Sequence, residues 1–294
     1  MYIDGVFSGG GIKGIALIGA YEMIEMKGFK FKRVAGTSAG SIIASLIAAG
    51  YKSQEIKKLM DELDLKKFLD ERKYVIPIPF AKWFNLYFRM GLYKGQMLEE
   101  WLNQVLYAKG IHTFSDLPPQ TLRVITSDLT NGRMVVLPDD LHHYGLNPNH
   151  FPIAKAVRMS SSLPYFFEPV KLVTKRGTYY LVDGGVLSNF PLWLFDKENV
   201  KKVRPVLGIK LSHYINGGKK NKINNSIQLF EALFTTMKDA HDARYISRKH
   251  EKNIIFIPTE GISATEFSLS EEKKNELLQL GRKRAEEFLK RWTY

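Results

Sequence analysis

The chain has 294 residues, 45% of them hydrophobic and 25% charged, with no stretch biased enough for disorder, so it is an ordinary globular protein able to bury a large core. It contains no cysteine, which excludes disulfides, thiolate metal sites and a cysteine nucleophile and is compatible with a reducing, cytoplasmic setting. A formal net charge of +13 favours anionic partners, whether phospholipid surfaces, nucleic acid or counter-ions, without choosing among them.

Residues Ile3 to Phe7 predict a short strand, Ser8-Gly9-Gly10-Gly11 a tight turn, and Ile15 to Met26 a helix closed by Gly28. The apolar run Ile15 to Ala20 follows Lys13 but is short. Asp4 lies in the would-be basic leader, Glu22 interrupts the run and no small-residue cleavage site follows, so no export signal is read. The unit then repeats: a buried strand at Phe31 to Ala35, a sharp turn at Gly36-Thr37-Ser38-Ala39-Gly40 and an apolar helix from Ser41 to Ala49. Two strand-turn-helix units in succession imply parallel strands. Runs such as Ile42 to Gly50 fall well short of the roughly 20 residues that span a bilayer.

A helix opens at Ser53 and runs to about Leu63, and the stretch from Lys66 to Arg89 is irregular and rich in aromatics. It reads either as a lipid-facing lid or as a surface excursion whose Trp83, Phe84, Tyr87 and Phe88 tuck into the core. Gln96 to Ala108 predicts a helix. Leu122 to Ser127 and Met134 to Leu137 predict a hairpin around Asn131-Gly132. Pro152 to Ser162 is helical in pattern, and Tyr179 to Val182 is a strand running into Asp183-Gly184-Gly185. Beyond it come a strand at Val206 to Leu211, a long helix at Ile227 to His250, a strand at Ile254 to Ile257 and a helix from Ser270 to Trp292, capped by Ser270 with Glu271 and Glu272 in its first turn.

Chemistry concentrates at three turns. Gly36-Thr37-Ser38-Ala39-Gly40 is G-x-S-x-G between a strand and a helix, the setting of a nucleophile elbow, with Ser38 Oγ exposed at a helix N-terminus. Gly9-Gly10-Gly11-Ile12-Lys13-Gly14 also follows a strand and opens a helix, so its N–H groups can converge on an anion. The same residues satisfy the dinucleotide fingerprint. That reading fares poorly, because the second strand ends in Gly36-Thr37-Ser38 where an acidic residue should hold the ribose. For a base, a triad of Ser38, Asp183 and either His213 or His241 is open. Asp183 alone, at a strand end between Val182 and paired glycines, is the better candidate, since partial desolvation raises its basicity. The remaining histidines are scattered, with no metal-ligand spacing beyond the adjacent His142 and His143.

Together, G-G-G-I-K-G at 9–14, G-T-S-A-G at 36–40 and D-G-G at 183–185 resemble, in order and spacing, the patatin-like phospholipase family. The segment Ala156-Val157-Arg158-Met159-Ser160-Ser161-Ser162-Leu163-Pro164 with Phe166-Phe167-Glu168-Pro169 resembles the family's stretch upstream of its aspartate. The resemblance covers roughly residues 4–196. It implies an α/β fold of three layers, a central, mostly parallel sheet flanked by helices, with residues 197–294 an α/β part packed on the same core. It also implies a Ser-Asp dyad without histidine: Ser38 attacks an ester carbonyl, Asp183 takes the proton, and backbone at Gly9, Gly10 and Gly11 holds the oxyanion, through an acyl-enzyme hydrolysed by water. Lys13 occupies the family's basic position and helps fix the glycine loop or a phosphate, while Gly14, Gly36, Gly40, Gly184 and Gly185 support the turns. Two positions depart from the pattern: Ser8 stands where an acid is frequent, and Gly185 where alanine is common.

The expected activity is lipid acyl hydrolysis of phospholipid or another lipid ester, with no metal or cofactor required and no calcium loop visible. An acyltransferase or thioesterase on the same site is the alternative, since fold and dyad fix acyl chemistry but not the acceptor. A third reading is a non-catalytic membrane or nucleic-acid binding module. No nucleic-acid motif is visible and no partner of that kind is expected. A basic stretch, Lys197, Lys201, Lys202, Arg204, Lys210, Lys219, Lys220 and Lys222, is expected to rest on an anionic membrane surface or to be a solvated loop.

Overall fold

The computed structural model describes residues 1–71, 85–196, 203–212, 223–224, 226–246, 251–259 and 262–294. Its first half opens with β1 (Tyr2–Phe7), a 3-10 turn at Gly11–Gly14, α1 (Ile15–Met26), β2 (Lys30–Thr37), α2 (Ala39–Ala48) and α3 (Ser53–Asp61). There follow β3 (Gly91–Tyr93), α4 (Gln96–Tyr107), β4 (Leu122–Asp128), β5 (Arg133–Leu137) and α5 (Ile153–Ser160). The chain continues through β6 (Tyr165–Phe167), β7 (Val170–Thr174), β8 (Gly177–Asp183) and β9 (Val206–Ser212), then α6 (Ser226–Tyr245), β10 (Ile254–Pro258) and α7 (Glu271–Leu289).

The main sheet has the order β10-β9-β1-β2-β4-β8-β7, with β5 also paired to β4. The five strands from β10 to β4 are mutually parallel, whereas β5, β7 and β8 join antiparallel, so the sheet is α/β and mostly parallel as expected. Successive side chains of a strand face opposite layers, and this divides the core. Phe7 and Val34 enter the larger apolar cluster with α1 and α2, while their neighbours Val6 and Ala35 enter a smaller one with Phe190, Phe195 and Val206 on the other face.

The C-terminal part joins the same sheet. β9 lies against β1, pairing Asp4 with Val206 and Phe7 with Ile209, and the buried Asp4 carboxylate binds Arg33 at 2.5 Å and Arg204 at 3.1 Å. Helix α7 presses so closely on α1 that a Cβ at Gly19 would lie 2.1 Å from the Leu278 carbonyl oxygen and one at Gly281 1.9 Å from that of Ala16. Only glycine permits that approach.

Local chemistry explains the element ends. Ser270 accepts the N–H of Lys273 to cap α7, and the Asp128 carboxylate accepts the N–H groups of Thr130 and Asn131 in the turn between β4 and β5. Asp70 accepts N–H groups of Gly95, Gln96 and Met97 at the start of α4, a cap from 25 residues upstream. Three strands were not predicted: β3 and β6 are three-residue pieces paired with each other, and β7 alternates on an exposed hairpin. Of the aromatic stretch, Trp83 and Phe84 lie outside the described residues. Tyr87 and Phe88 do not tuck into the core, being 80% and 61% exposed. Among the described residues no helix is long and apolar enough to cross a membrane.

Candidate functional site

Ser38 sits between the end of β2 and the start of α2 with φ 52° and ψ −128°, a left-handed conformation that a non-glycine residue adopts only under constraint. The constraint is visible. The Ser38 N–H donates to Ser160 Oγ at 2.8 Å, its carbonyl accepts from Ser41 Oγ at 2.6 Å, and the glycines on either side allow no side chain. A Cβ at Gly36 would lie 2.3 Å from the Gly40 carbonyl oxygen, and one at Gly40 2.3 Å from that of Phe7.

Asp183 ends β8. Antiparallel pairing sets it opposite Thr126, whose neighbour Ile125 pairs with Thr37, so one strand, β4, separates the aspartate's strand from the serine's. Its carboxylate is buried, accepts the Gly185 N–H at 2.7 Å, and lies near enough to the Ser38 hydroxyl for that group to stabilise its charge. Burial pushes the carboxyl above the usual range, opposed by the Ser38 hydroxyl, the Gly185 N–H and the Lys238 cation. The flanking glycines are crowded: a Cβ at Gly184 would strike the Ile125 carbonyl oxygen at 2.3 Å, and one at Gly185 would lie 2.9 Å from Asp183 Oδ1.

The glycine loop adjoins the serine. A Cβ on Gly9 would come within 3.1 Å of Ser38 Cβ, and one on Gly14 within 2.8 Å of Ala39 Cβ. The Gly9 N–H donates to the Asn189 carbonyl at 3.2 Å, which takes it from any anion, whereas no described residue accepts from the N–H of Gly10 or Gly11. Ser8, where the family frequently has an acid, ties the loop to β9: its N–H donates to the Ile209 carbonyl and its hydroxyl accepts the Leu211 N–H at 2.8 Å.

Behind Asp183 lies a cluster of buried charge on α6. Burial lowers the Lys238 ammonium below its ordinary value against the pull of Asp183, and raises Asp239 against Lys210, Lys238 and Lys13. Lys210 and Asp242 form a buried ion pair, and Asn189 Nδ2 reaches Asp242 at 3.4 Å. Lys13 is itself buried and belongs to this cluster. Two members of the basic stretch are therefore turned inward: Lys210 onto Asp242 and Arg204 onto Asp4. Its other members, Lys197, Lys201, Lys202, Lys219, Lys220 and Lys222, lie outside the described residues, as does His213.

Ser38, Asp183, Gly10, Gly11 and Lys238 all line one cavity of about 800 Å³. Its walls are otherwise mostly apolar, with Ile42, Met60, Phe68, Phe166, Phe234 and Phe267 among them, and no described histidine, His241 included, lines it. That volume is within the roughly 300–1,000 Å³ of ligand sites that bury their guest. No cluster of three metal-ligating side chains occurs among the described residues. Sequence reasoning missed Lys238, Asn189 and the tie from Ser160. The available signal for Lys238 was a lysine and an aspartate four residues apart on the same helical face as Phe230 and Phe234.

Comparison with known proteins supplies the family. YqhO of Bacillus subtilis (strain 168), an uncharacterized protein, is 58% identical over 294 residues, the whole of both chains. The "Probable lipid hydrolase 463L" of Invertebrate iridescent virus 6 is 28% identical over 204 residues, 67% of this chain and 64% of its own. VipD from Legionella pneumophila shares the fold, with a TM-score of 0.59 at 19% identity over 99% of this chain and 67% of that one. A family model, patatin-like phospholipase, matches residues 5–196, most of the chain and all three glycine-bearing turns. The chain thus belongs to the patatin-like phospholipase family.

Proposed function

We propose that the protein is a lipid acyl hydrolase, a phospholipase A-like serine esterase working through a Ser-Asp dyad. One observation carries the reading: the constrained Ser38 and the buried Asp183 open together onto a mostly apolar cavity of about 800 Å³. Asp183 takes the Ser38 proton as Oγ attacks the ester carbonyl. The negative charge that develops on the carbonyl oxygen meets the N–H groups of Gly10 and Gly11, with Gly9 shaping the loop instead of donating. Collapse breaks the bond to the alkoxy group, which leaves with the proton from Asp183, and the acyl chain remains on Ser38. Water then attacks the acyl carbonyl, gives its proton to Asp183, and the fatty acid departs as Ser38 recovers that proton. A carboxylate raised by burial is a stronger base than one in water, which suits this role.

The apolar lining favours long acyl chains, each buried methylene contributing about 0.8 kcal/mol, or roughly fourfold in affinity until the cavity is filled. We take residues 4–196 as the catalytic core and 197–294 as a part of the same folding unit that supplies Lys238 to the site. The test is hydrolysis of p-nitrophenyl esters by the wild type beside folded Ser38→Ala and Asp183→Asn. Losses of about 1,000-fold or more in kcat are expected for both. An active Asp183→Asn together with a dead His213→Ala would replace the dyad with a histidine triad.

A further inference from the structure

Helix α6 is built inside out. Taken at 100° per residue, Leu229, Leu233, Thr236, Met237, Ala240 and Ala243 fall within an arc of about 120° that runs roughly 21 Å along the helix. All six are exposed, Leu229 at 54%, Leu233 at 62% and Met237 at 42%, and no charged residue stands among them. Between Leu229 and Ala243 the ionisable residues lie outside that arc, where Lys238 and Asp242 are buried, and Arg244 follows at the stripe's C-terminal end. A surface helix of a globular protein ordinarily has the opposite arrangement.

The outward stripe continues into the surroundings of the cavity. Phe230, Phe234 and Lys238, on the inner arc of the same helix, line it, and Tyr165, 57% exposed, also lines it and meets the Phe230 ring edge-on at 5.3 Å. Leu86 lines it too, and the residues that follow, Tyr87, Phe88 and Met90, are exposed with Arg89 among them. Exposed Lys66 and Lys67 stand between the lining residues Leu65 and Phe68. Apolar and aromatic side chains interspersed with cations, on a chain of net charge +13, match the chemistry of an anionic lipid interface.

We propose that the outer face of α6, with Tyr165 and the 86–90 segment, is the surface on which this protein docks to an anionic lipid bilayer, with the cavity entrance turned toward the acyl chains. A folded protein partner on this face would cover the way in; a bilayer supplies what has to enter. The proposal rests on the lipid hydrolase reading for its orientation, but docking is measurable without turnover.

The test is flotation of Ser38→Ala protein with vesicles of equal phosphatidylcholine and phosphatidylglycerol, beside the same protein carrying Leu229→Glu, Leu233→Glu and Met237→Glu. All three positions are exposed and outside the cavity lining. The proposal expects at least tenfold weaker binding for the triple variant. On the Ser38 background it also expects wild-type turnover of a short, water-soluble ester and a tenfold or greater loss on the same vesicles. Equal flotation of the two proteins, or no flotation of either, overturns it. So does a dimer that the triple variant turns into a monomer without change in flotation, which makes the stripe a self-association face. Flotation that depends on the stripe, in a wild type inert toward every ester, retains the docking surface and rejects the hydrolase.

Discussion

The backbone N–H of Ser38 donates to the hydroxyl of Ser160, 2.8 Å away and 122 positions later in the chain. This bond joins the elbow to the end of α5, and it holds the residue whose φ of 52° most needs holding. Removing the hydroxyl leaves a buried N–H unpaired, at a cost of about 1–3 kcal/mol. Ser160→Ala is therefore expected to lower kcat on a soluble ester about tenfold and to reduce the melting temperature. Its neighbour Ser161 lines the cavity with a buried hydroxyl that has no hydrogen-bond partner among the described residues. Ser161→Ala should leave the melting temperature where it was. Equal behaviour of the two variants would remove Ser160 from the elbow.

Lys238 is expected to set the acid limb of the pH profile. Asp183 accepts a proton only when ionised, so activity falls as pH drops through its folded pKa, which burial has already raised. The Lys238 cation opposes that rise, and Lys238→Met removes the opposition. The limb of kcat/KM should move to higher pH, with Lys238→Arg restoring part of the shift. A limb that stays in place or moves down contradicts the assignment. Neutral Asp239 or Asp242 variants provide the comparison, because both carboxylates act on Lys238 in the opposite sense to its burial.

Gly40→Ala is expected to be among the most damaging small changes in the chain. The new Cβ would lie 2.3 Å from the Phe7 carbonyl oxygen and 2.6 Å from that of Ser8, both backbone atoms of a buried strand end that cannot move aside. Overpacking of this kind costs about 1–3 kcal/mol or more. Thermal denaturation followed by circular dichroism should show a clear drop, and a variant as stable as the wild type would mean that α2 slides freely on β1.

Cutting the chain after Asp196 removes β9 and α7, and with them the partner of β1 and the close packing against Gly19. The fragment 1–196 is expected to aggregate, since it exposes the edge of β1 in mid-sheet and an apolar face of α1. A soluble, cooperatively melting fragment would divide the chain into two independent domains.

Much of this was legible in the residues. In the parallel half, β1, β2, β4 and β9 were largely apolar segments running into glycine or serine, and the turns at 9–14, 36–40 and 183–185 announced themselves by their glycines. What stayed hidden depends on partners distant in sequence. The three residues of β6 pair only because β3 lies alongside, and the capping Asp70 belongs to the preceding loop. The local spacing of Lys238 and Asp242 marks a helical face but not its burial, which follows from β8 having delivered Asp183 beside α6. The fold class follows from periodicity, whereas the electrostatics of the site follow from topology.

The tie between Ser8 and Leu211 spans 203 positions, and that between the Thr37 hydroxyl and the Ser188 carbonyl spans 151. Contacts so remote in sequence form late, after costly loop closure. On the ribosome, Ser38 therefore emerges long before Asp183, and the cavity wall contributed by α6 emerges later still. A nascent chain that ends before them carries Ser38 without Asp183 and without the α6 wall of the cavity. On the hydrolase reading proposed above, competence arrives only once α6 has been made, a safeguard for membranes near the site of translation.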